Sequence, residues 1–507
     1  MRFALGAPLI RPVQPVFPRA CRPIAAVTRG VAVDKDSMED ARRSFADARK
    51  NSEGLSQDAL VWARENGLLM KNGSGPGDVV NIPLAVLPTP FPSHHFSKIM
   101  GTSVGMHLLM YSVTKDEDFL FGALKGAAAN DTFTGDLINL YQKVKNKKPG
   151  LEDEVSLGAF RADYMYDEPS NRMLQVEMNT MSVSFPALGC RVADLHRHIV
   201  KKCPSLDYEK VPKNNAESLI VDAFLKAHEL VGIDDGAIAF VVLENETNTF
   251  DQQGLIDAIM EKSDIKVIKT TLKQLGSEAV LDESNQLRLG EDKISVVYYR
   301  SGYSPDHYPS DVEWRGRELA EISEAACCPT LLFHIAGAKK IQQELAKPGV
   351  LEELMADRPE YIPWIRQHFA GLWGLDDPSD PETAEVIKNA LENPDDYVLK
   401  PQREGGGNNI YGEDIVKVLQ KGESLAAYIL MERIRPPVQS STLLRNGEWS
   451  IEDTVSEFGV FGAWVMKNGH AYINQEVGHL VRTKVSSSDE GGVAAGYAVL
   501  DSTYLVD

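Results

Sequence analysis

Residues 400–409 read Lys-Pro-Gln-Arg-Glu-Gly-Gly-Gly-Asn-Asn, directly after the apolar run Tyr397-Val398-Leu399. The run has the character of a strand, so Lys400 places a cation at a strand's end. Pro401, Gln402 and Arg403 follow, and then Glu404. Gly405, Gly406 and Gly407 carry no Cβ, so their backbone can approach an anion closely and can take φ > 0. Successive N–H groups in such a loop, continuing to Asn408 and Asn409, form a concave seat for phosphate. A carboxylate beside a phosphate seat calls for a hard cation between them. Mg2+ suits, because it takes oxygen ligands and shares them with substrate phosphates. The spacing matches neither the dinucleotide fingerprint nor the P-loop.

The chain of 507 residues is long for one hydrophobic core, which predicts two or three structural units. It is 43% hydrophobic and 25% charged, a composition that argues against disorder. Its formal net charge of −20 disfavours nucleic acid, which is bound chiefly through Lys and Arg. No apolar run reaches the length of a membrane span. Cys21, Cys190, Cys203, Cys327 and Cys328 are odd in number and form no Cys-x-x-Cys pair. They read as free thiols in a reducing compartment. Residues 1–33 hold Arg2, Arg11, Arg19, Arg22 and Arg29 and no acid, the composition of an organelle transit peptide. Plastid and mitochondrion both fit, with the cytoplasm as the alternative.

Residues 37–71 carry helical spacing, with Ser37 as a cap. Residues 83–93 (PLAVLPTPFPS) are broken by proline and read as a connector. From about Phe96 to Val144 the pattern is helical again and gives scaffold. Leu174, Val176 and Met178 then alternate with Gln175, Glu177 and Asn179, the mark of a strand with one polar face. Glu177 and Asn179 project side by side, and a carboxylate and an amide oxygen at that spacing can share one Mg2+. Ser182 and Ser184 follow, again two apart. Arg161, upstream, is a candidate carboxylate clamp, because a guanidinium bonds bidentately. His196-Arg197-His198 lies in a helix, where residues two apart do not share a face. It reads as solvated helix surface and not as a metal pair.

Residues 215–330 alternate strands (239–243, 266–271, 294–300) with helices (251–262, 312–326), which predicts a parallel α/β unit. Ligands bind such units at the carboxyl ends of strands. Asn248 and Gln252 follow one such end; Arg300 and Tyr303 lie at another. Residues 337–375 read as helices, starting with Lys339 and Lys340, either of which can reach a phosphate. The acidic region 376–396 frames one short helix. A strand over 427–434 stops at Pro436, and its end can offer backbone groups to a flat purine. A further strand over 455–466 carries Glu457. Arg482 and Lys484 share a face if their segment is extended, and Gly491, Gly492 and Gly496 make a second flexible loop.

Glu177, Asn179 and Glu404 are thus three oxygen ligands for Mg2+. Lys339, Lys400 and Lys484 are cations for phosphate, and Arg161 and Arg300 can hold a carboxylate. This inventory suits ATP chemistry on an acid, in which cations neutralise the transferring phosphoryl group and the protein positions it. A carboxylate acylates poorly because oxide is a bad leaving group. Phosphorylation gives an acyl phosphate that an amine can attack. Water would destroy that intermediate, so a lid has to close, and glycine-rich loops suit a lid.

At this point KPQREGGGNN, the Glu177-Met-Asn179 run before TMSVSF, RADYM, NTFDQ, YRSGY, GAKKIQQEL, GHLVRTK and GGVAAG together resemble the motif set of eukaryotic glutathione synthetases. The resemblance runs in the family's order from about residue 37 to the C-terminus. It implies an α/β ATP-grasp fold in the circularly permuted eukaryotic form, with an inserted parallel α/β substrate-binding domain and N-terminal helices. The implied division is 1–33 leader, 34–214 helical part with the first ATP-grasp strands, 215–330 substrate domain, and 331–507 ATP-grasp and lid domain. The implied reaction joins γ-glutamylcysteine and glycine, with ATP and Mg2+, in a homodimer. Variants of this chemistry that add β-alanine or serine, or an ATP-binding sensor without turnover, are the alternatives.

Carried over by position, Glu177, Asn179 and Glu404 correspond to the Mg2+ ligands. The ATP site corresponds to Glu177, Lys339, residues 400–409, Tyr411, Met431, Glu432, Arg433, Ile434, Glu457, Lys484 and Glu490. The peptide and glycine site corresponds to Arg161, Met181, Ser182, Val183, Ser184, Glu246, Thr247, Asn248, Gln252, Arg300, Ser301, Gly302, Tyr303, Arg482, Val493 and Ala494. Arg161, Lys400 and Arg482 take the implied catalytic roles. Glu490 and Arg433 stand where the family commonly has Asp and Lys. The small pair Val493-Ala494 is similar to that of glycine users; relatives that add β-alanine differ there.

Overall fold

The computed structural model describes residues 35–507 apart from 74, 76, 149, 151–153, 403–407, 422–423, 490, 494 and 495. Two Asn-Gly pairs organise its largest sheet. Asn446-Gly447 (φ 54° and 84°) and Asn468-Gly469 (φ 51° and 71°) are two-residue turns with both residues left-handed. Hairpins favour that conformation, and Asn-Gly reaches it at least cost. The turns join strands Gln439–Arg445, Glu448–Lys467 and His470–Val485 into an antiparallel meander. Glu448–Lys467 also pairs Ser156–Asp167, which pairs Arg172–Asn179. On the other side His470–Val485 pairs Ala498–Asp501, then comes Leu84–Ala85, which returns to Gln439–Arg445. Part of this seven-stranded sheet therefore closes on itself.

Side-chain alternation gives the sheet two unlike faces. Phe160, Ala162, Tyr164, Met178, Phe458, Val460 and Trp464 enter a core shared with helices Ser93–Lys115, Glu117–Asn130 and Thr132–Lys147. Leu157, Ala159, Phe461, Ala463 and Leu480 point the other way, against helices Pro186–Val200 and Ala216–Val231. Further along the same strands this second face turns polar. It then carries Arg161, Asp163, Glu177, Asn179, Glu457, Arg482 and Lys484.

Two smaller units flank that polar half. Strands Val267–Thr270, Ala237–Val241, Asp292–Tyr299 and Ala326–Cys328 are parallel, as expected, and helix Thr249–Lys262 follows one of them. Strands Ala279–Leu281 and Leu287–Leu289 extend this sheet antiparallel, which the sequence pattern did not show. The other unit is an antiparallel sheet of Leu372–Gly374, Tyr428–Glu432 and Tyr397–Pro401. It is backed by helices Pro381–Glu392 and Glu413–Gln420 over a small core of its own, including Val386, Leu399, Ile415 and Leu430.

Three expectations are corrected. The single helix over 37–71 is two helices, Lys35–Ala48 and Ser52–Glu65, with Ser37 inside the first turn and not at its cap. The second helix ends because Gly67 takes φ +70°, with the Leu68 N–H bonding back to the Ala63 carbonyl at 2.8 Å. A strand, Leu69–Lys71, follows and pairs Val79–Asn81. The proline-broken connector contains strands Leu84–Ala85 and Thr89–Pro92, the latter pairing Thr503–Val506 in a two-stranded ribbon. Proline is tolerated there because the strand has one partner and needs N–H groups on one side only. His196 is not solvated: it is wholly buried, its ring nitrogens 2.8 Å from the Ala85 carbonyl and 2.7 Å from Ser502 Oγ. Cys190, Cys203, Cys327 and Cys328 are buried free thiols, and Cys21 lies outside the described residues. Among the described residues no helix is long and apolar enough to cross a membrane.

Candidate active site

The polar half-face is the floor of a cleft of ≈ 650 Å³. Strand register sets its layout: Arg161 stands opposite Asn179, Asp163 opposite Glu177 and Gly459, and Glu457 opposite Arg482. Arg161 donates from Nε and Nη2 to Asp163 at 2.7 and 2.8 Å. Arg482 Nη2 donates to Asp163 at 2.9 Å and also pairs with Glu457. Lys339 Nζ is 3.2 Å from Glu177, and Lys400 Nζ donates to the Val176 carbonyl at 3.0 Å. Burial alone would push the Glu177 carboxyl up. The cations Lys339, Lys400, Arg482 and Arg161 outweigh it and hold the group well below the usual carboxylate range. Burial lowers the Lys400 ammonium to about 8, against the opposing pull of Glu177.

One wall is the run from Met181 to Ser184, laid across the carboxyl ends of the parallel strands. Ser182 (φ 53°) and Phe185 (φ 73°) are left-handed there, and such residues cost about 1–3 kcal/mol each. The surroundings hold them in place. Arg300 donates to the Val183 carbonyl at 2.6 Å and to Ser184 Oγ at 2.7 Å. Asp251 accepts the N–H groups of Phe185, Ala187 and Leu188 at 2.8–3.1 Å, so a residue of the parallel unit caps helix Pro186–Val200. Glu246, Thr247, Asn248 and Tyr303 continue this wall. The opposite wall is built by Lys339, Lys400, Asn409, Tyr411, Met431, Glu432, Arg433 and Ile434. Arg433 and Lys484 both reach Asp489, at 2.6 Å each.

The donor set on the floor fits a hard cation. Asn179 Nδ2 donates to Asp163 Oδ2 at 2.9 Å and to the Arg161 carbonyl at 3.3 Å. A carboxylate only accepts, so the amide nitrogen faces Asp163 and Oδ1 is turned away from it. Glu177 stands two residues earlier on the same strand and lines the same cleft. Glu404 lies outside the described residues.

A family profile described as "Eukaryotic glutathione synthase, ATP binding domain" matches residues 49–505. The chain belongs to the eukaryotic glutathione synthase family. A chloroplastic glutathione synthetase of Solanum lycopersicum is 40% identical over 92% of this chain and 88% of its own length. A chloroplastic one of Arabidopsis thaliana is 41% identical over 89% and 85%. The Homo sapiens glutathione synthetase is 36% identical over 91% of this chain and 99% of its own. A solved apo structure of a glutathione synthetase-like effector from Globodera pallida shares the fold with TM-score 0.71. It is 24% identical and covers 89% of this chain and 96% of its own.

Glutathione synthase motifs account for most of the cleft wall, but not all expected residues touch it. Gln252, Ser301 and Gly302 lie behind the wall: Gln252 donates to Glu246 at 2.7 Å, Ser301 to the Val241 carbonyl at 3.2 Å, and the Gly302 N–H to His307 at 2.9 Å. Gln402 accepts the Lys340 N–H at 3.1 Å, and neither it nor Pro401 nor Asn408 lines the cleft. Val493 lines the cleft and is buried. Arg403, Gly405, Gly406, Gly407, Glu490 and Ala494 lie outside the described residues. Asp163 and Asp251 received no role in the sequence reading. Asp163 stands two residues after Arg161 on one strand face, a signal that was available; its partners come from strands too distant in sequence to be read.

Proposed function

We propose that this chain joins γ-glutamylcysteine to glycine, with ATP cleaved to ADP and phosphate, at the cleft between the three units. The single observation that carries the reading is that one cleft holds both inventories. Cations for a polyphosphate and arginines for a carboxylate line one and the same cleft, together with Glu177 and Asn179. Lys339, Lys400 and Lys484 bind the phosphates, and the end of Tyr428–Glu432 faces the purine. Arg161, Ser182, Ser184, Arg300 and Tyr303 bind the dipeptide, and Arg482 faces its reacting end. The dipeptide carboxylate oxygen attacks the γ-phosphorus and ADP leaves. The glycine amine then attacks the carbonyl carbon, phosphate departs with that oxygen, and the amine loses a proton. Glu177, Asn179 and Glu404 would hold Mg2+, which would supply charge neutralisation for the transferring phosphoryl group. The residues of this chain orient both partners and exclude water.

Glycine as acceptor rests on the small residues Val493 and Ala494. Mass spectrometry of products from ATP, γ-glutamylcysteine and an equal mixture of glycine, β-alanine and serine checks it. Glutathione is expected as the dominant product; a β-alanine or serine adduct in excess would overturn the choice. We also infer a homodimer, to be read by sedimentation, and an organelle address in residues 1–33, to be read by following a tagged full-length chain.

A further inference from the structure

Asp163 is 0% exposed, yet it is a carboxylate in a site crowded with charge. It accepts four hydrogen bonds, from Arg161 twice (2.7 and 2.8 Å), Asn179 (2.9 Å) and Arg482 (2.9 Å). Those donors stand on three different strands, Ser156–Asp167, Arg172–Asn179 and His470–Val485. Each also faces the cleft, whereas Asp163 does not line it. A second observation comes from the neighbouring strand. Gly459 stands opposite Asp163, and a Cβ there would lie 2.8 Å from Asp163 Oδ1 and 2.7 Å from Arg161 Cδ. The sheet thus leaves one position without a side chain where the ion pair lies against it.

We propose that Asp163 is the positioning residue of the site, fixing the amide orientation of Asn179 and the guanidinium planes of Arg161 and Arg482 at once. The inference rests on the reading of the cleft given above. Its physical content is an acceptor count. Arg161 spends Nε and one Nη2 hydrogen on Asp163 and reaches the Ser184 carbonyl from Nη1 at 3.3 Å, so its remaining hydrogens are aimed and not free to rotate. Asn179 is likewise pinned, with its amide nitrogen on Asp163 and the Arg161 carbonyl and its oxygen left for the cleft. An asparagine at 163 would keep the volume but offer one acceptor oxygen in place of two. Its amide group would also confront donors, so the Asn179 amide could turn over. Groups behind a metal ligand commonly set its affinity in this way.

The test uses full-length protein carrying D163N or, separately, G459A, which keeps every charge and only crowds the pair. Mn2+ uptake is followed by electron paramagnetic resonance with a non-hydrolysable ATP analogue, beside Michaelis constants for γ-glutamylcysteine and glycine. In D163N we expect Mn2+ affinity to fall about 10–100-fold, with the dipeptide constant rising and nucleotide affinity without metal unchanged. G459A should move both in the same direction by less. Unchanged Mn2+ affinity and unchanged Michaelis constants in a folded D163N overturn the proposal. If D163N does not fold, an unchanged G459A overturns it. A wild-type protein that takes up no Mn2+ with nucleotide instead overturns the metal reading, and the Asn179 half of this proposal with it. The Michaelis constants then still decide the arginine half.

Discussion

Lys400 shows how burial and charge compete at one side chain. The residue is 4% exposed, and its ammonium feels Glu177 and is lowered to about 8 by burial. A bound polyphosphate adds negative charge beside it and raises it again. At pH 8 nucleotide binding should therefore take up about half a proton, since about half of the lysines are neutral beforehand. Calorimetry in two buffers of different ionisation enthalpy reads this directly. The uptake should vanish in Lys400→Gln; equal heats in both buffers for the wild type would contradict it. A companion expectation concerns Glu404. In Glu404→Ala, turnover should fall by at least about 10²-fold, the scale of losing one electrostatic group, with an unchanged melting curve. Full activity in that variant removes Glu404 from the site. Period-two logic read Glu177 with Asn179 and Arg482 with Lys484 correctly as sharing one face. It was not applied to Arg161 and Asp163, and no local pattern tells that a buried carboxylate gathers donors from three strands.

At the scale of elements, the run 181–188 depends on a residue of another unit. Asp251 caps helix Pro186–Val200 by taking three backbone N–H groups, and it is 1% exposed. Asp251→Ala leaves those donors buried and unpaired. It should cost about 2 kcal/mol or more in a urea melt and raise the Michaelis constant for the dipeptide, because Ser182 and Ser184 lose their support. An unchanged midpoint would contradict the capping role. Elements with strong patterns were legible: the helices from Ser93 to Lys147, strand Tyr397–Pro401, and the βα order of the parallel unit. Elements made by partners were not. Thr89–Pro92 is a strand only because Thr503–Val506 lies beside it, and Leu69–Lys71 only because Val79–Asn81 does. Strands of three or four residues carry too few alternations to stand out from a helical or proline-broken background.

Across the whole molecule, the cleft exists because strands from three distant parts of the chain share one sheet. Leu84–Ala85, Ser156–Asn179 and Gln439–Asp501 lie side by side, so the first part of the chain and its end build one floor. Closure of that sheet was not legible, since it depends on pairings with no local signature. The unit boundaries at 214/215 and 330/331 stay our proposal for where the inserted α/β domain begins and ends. The central claim is that an acid and a nucleotide react on this floor through an acyl phosphate. Its most direct test supplies ATP, glycine and γ-glutamylcysteine labelled with ¹⁸O in the cysteinyl carboxylate, and measures the phosphate released by mass spectrometry. One labelled oxygen in each released phosphate is the expected result; unlabelled phosphate, or phosphate released without the dipeptide, would contradict the account.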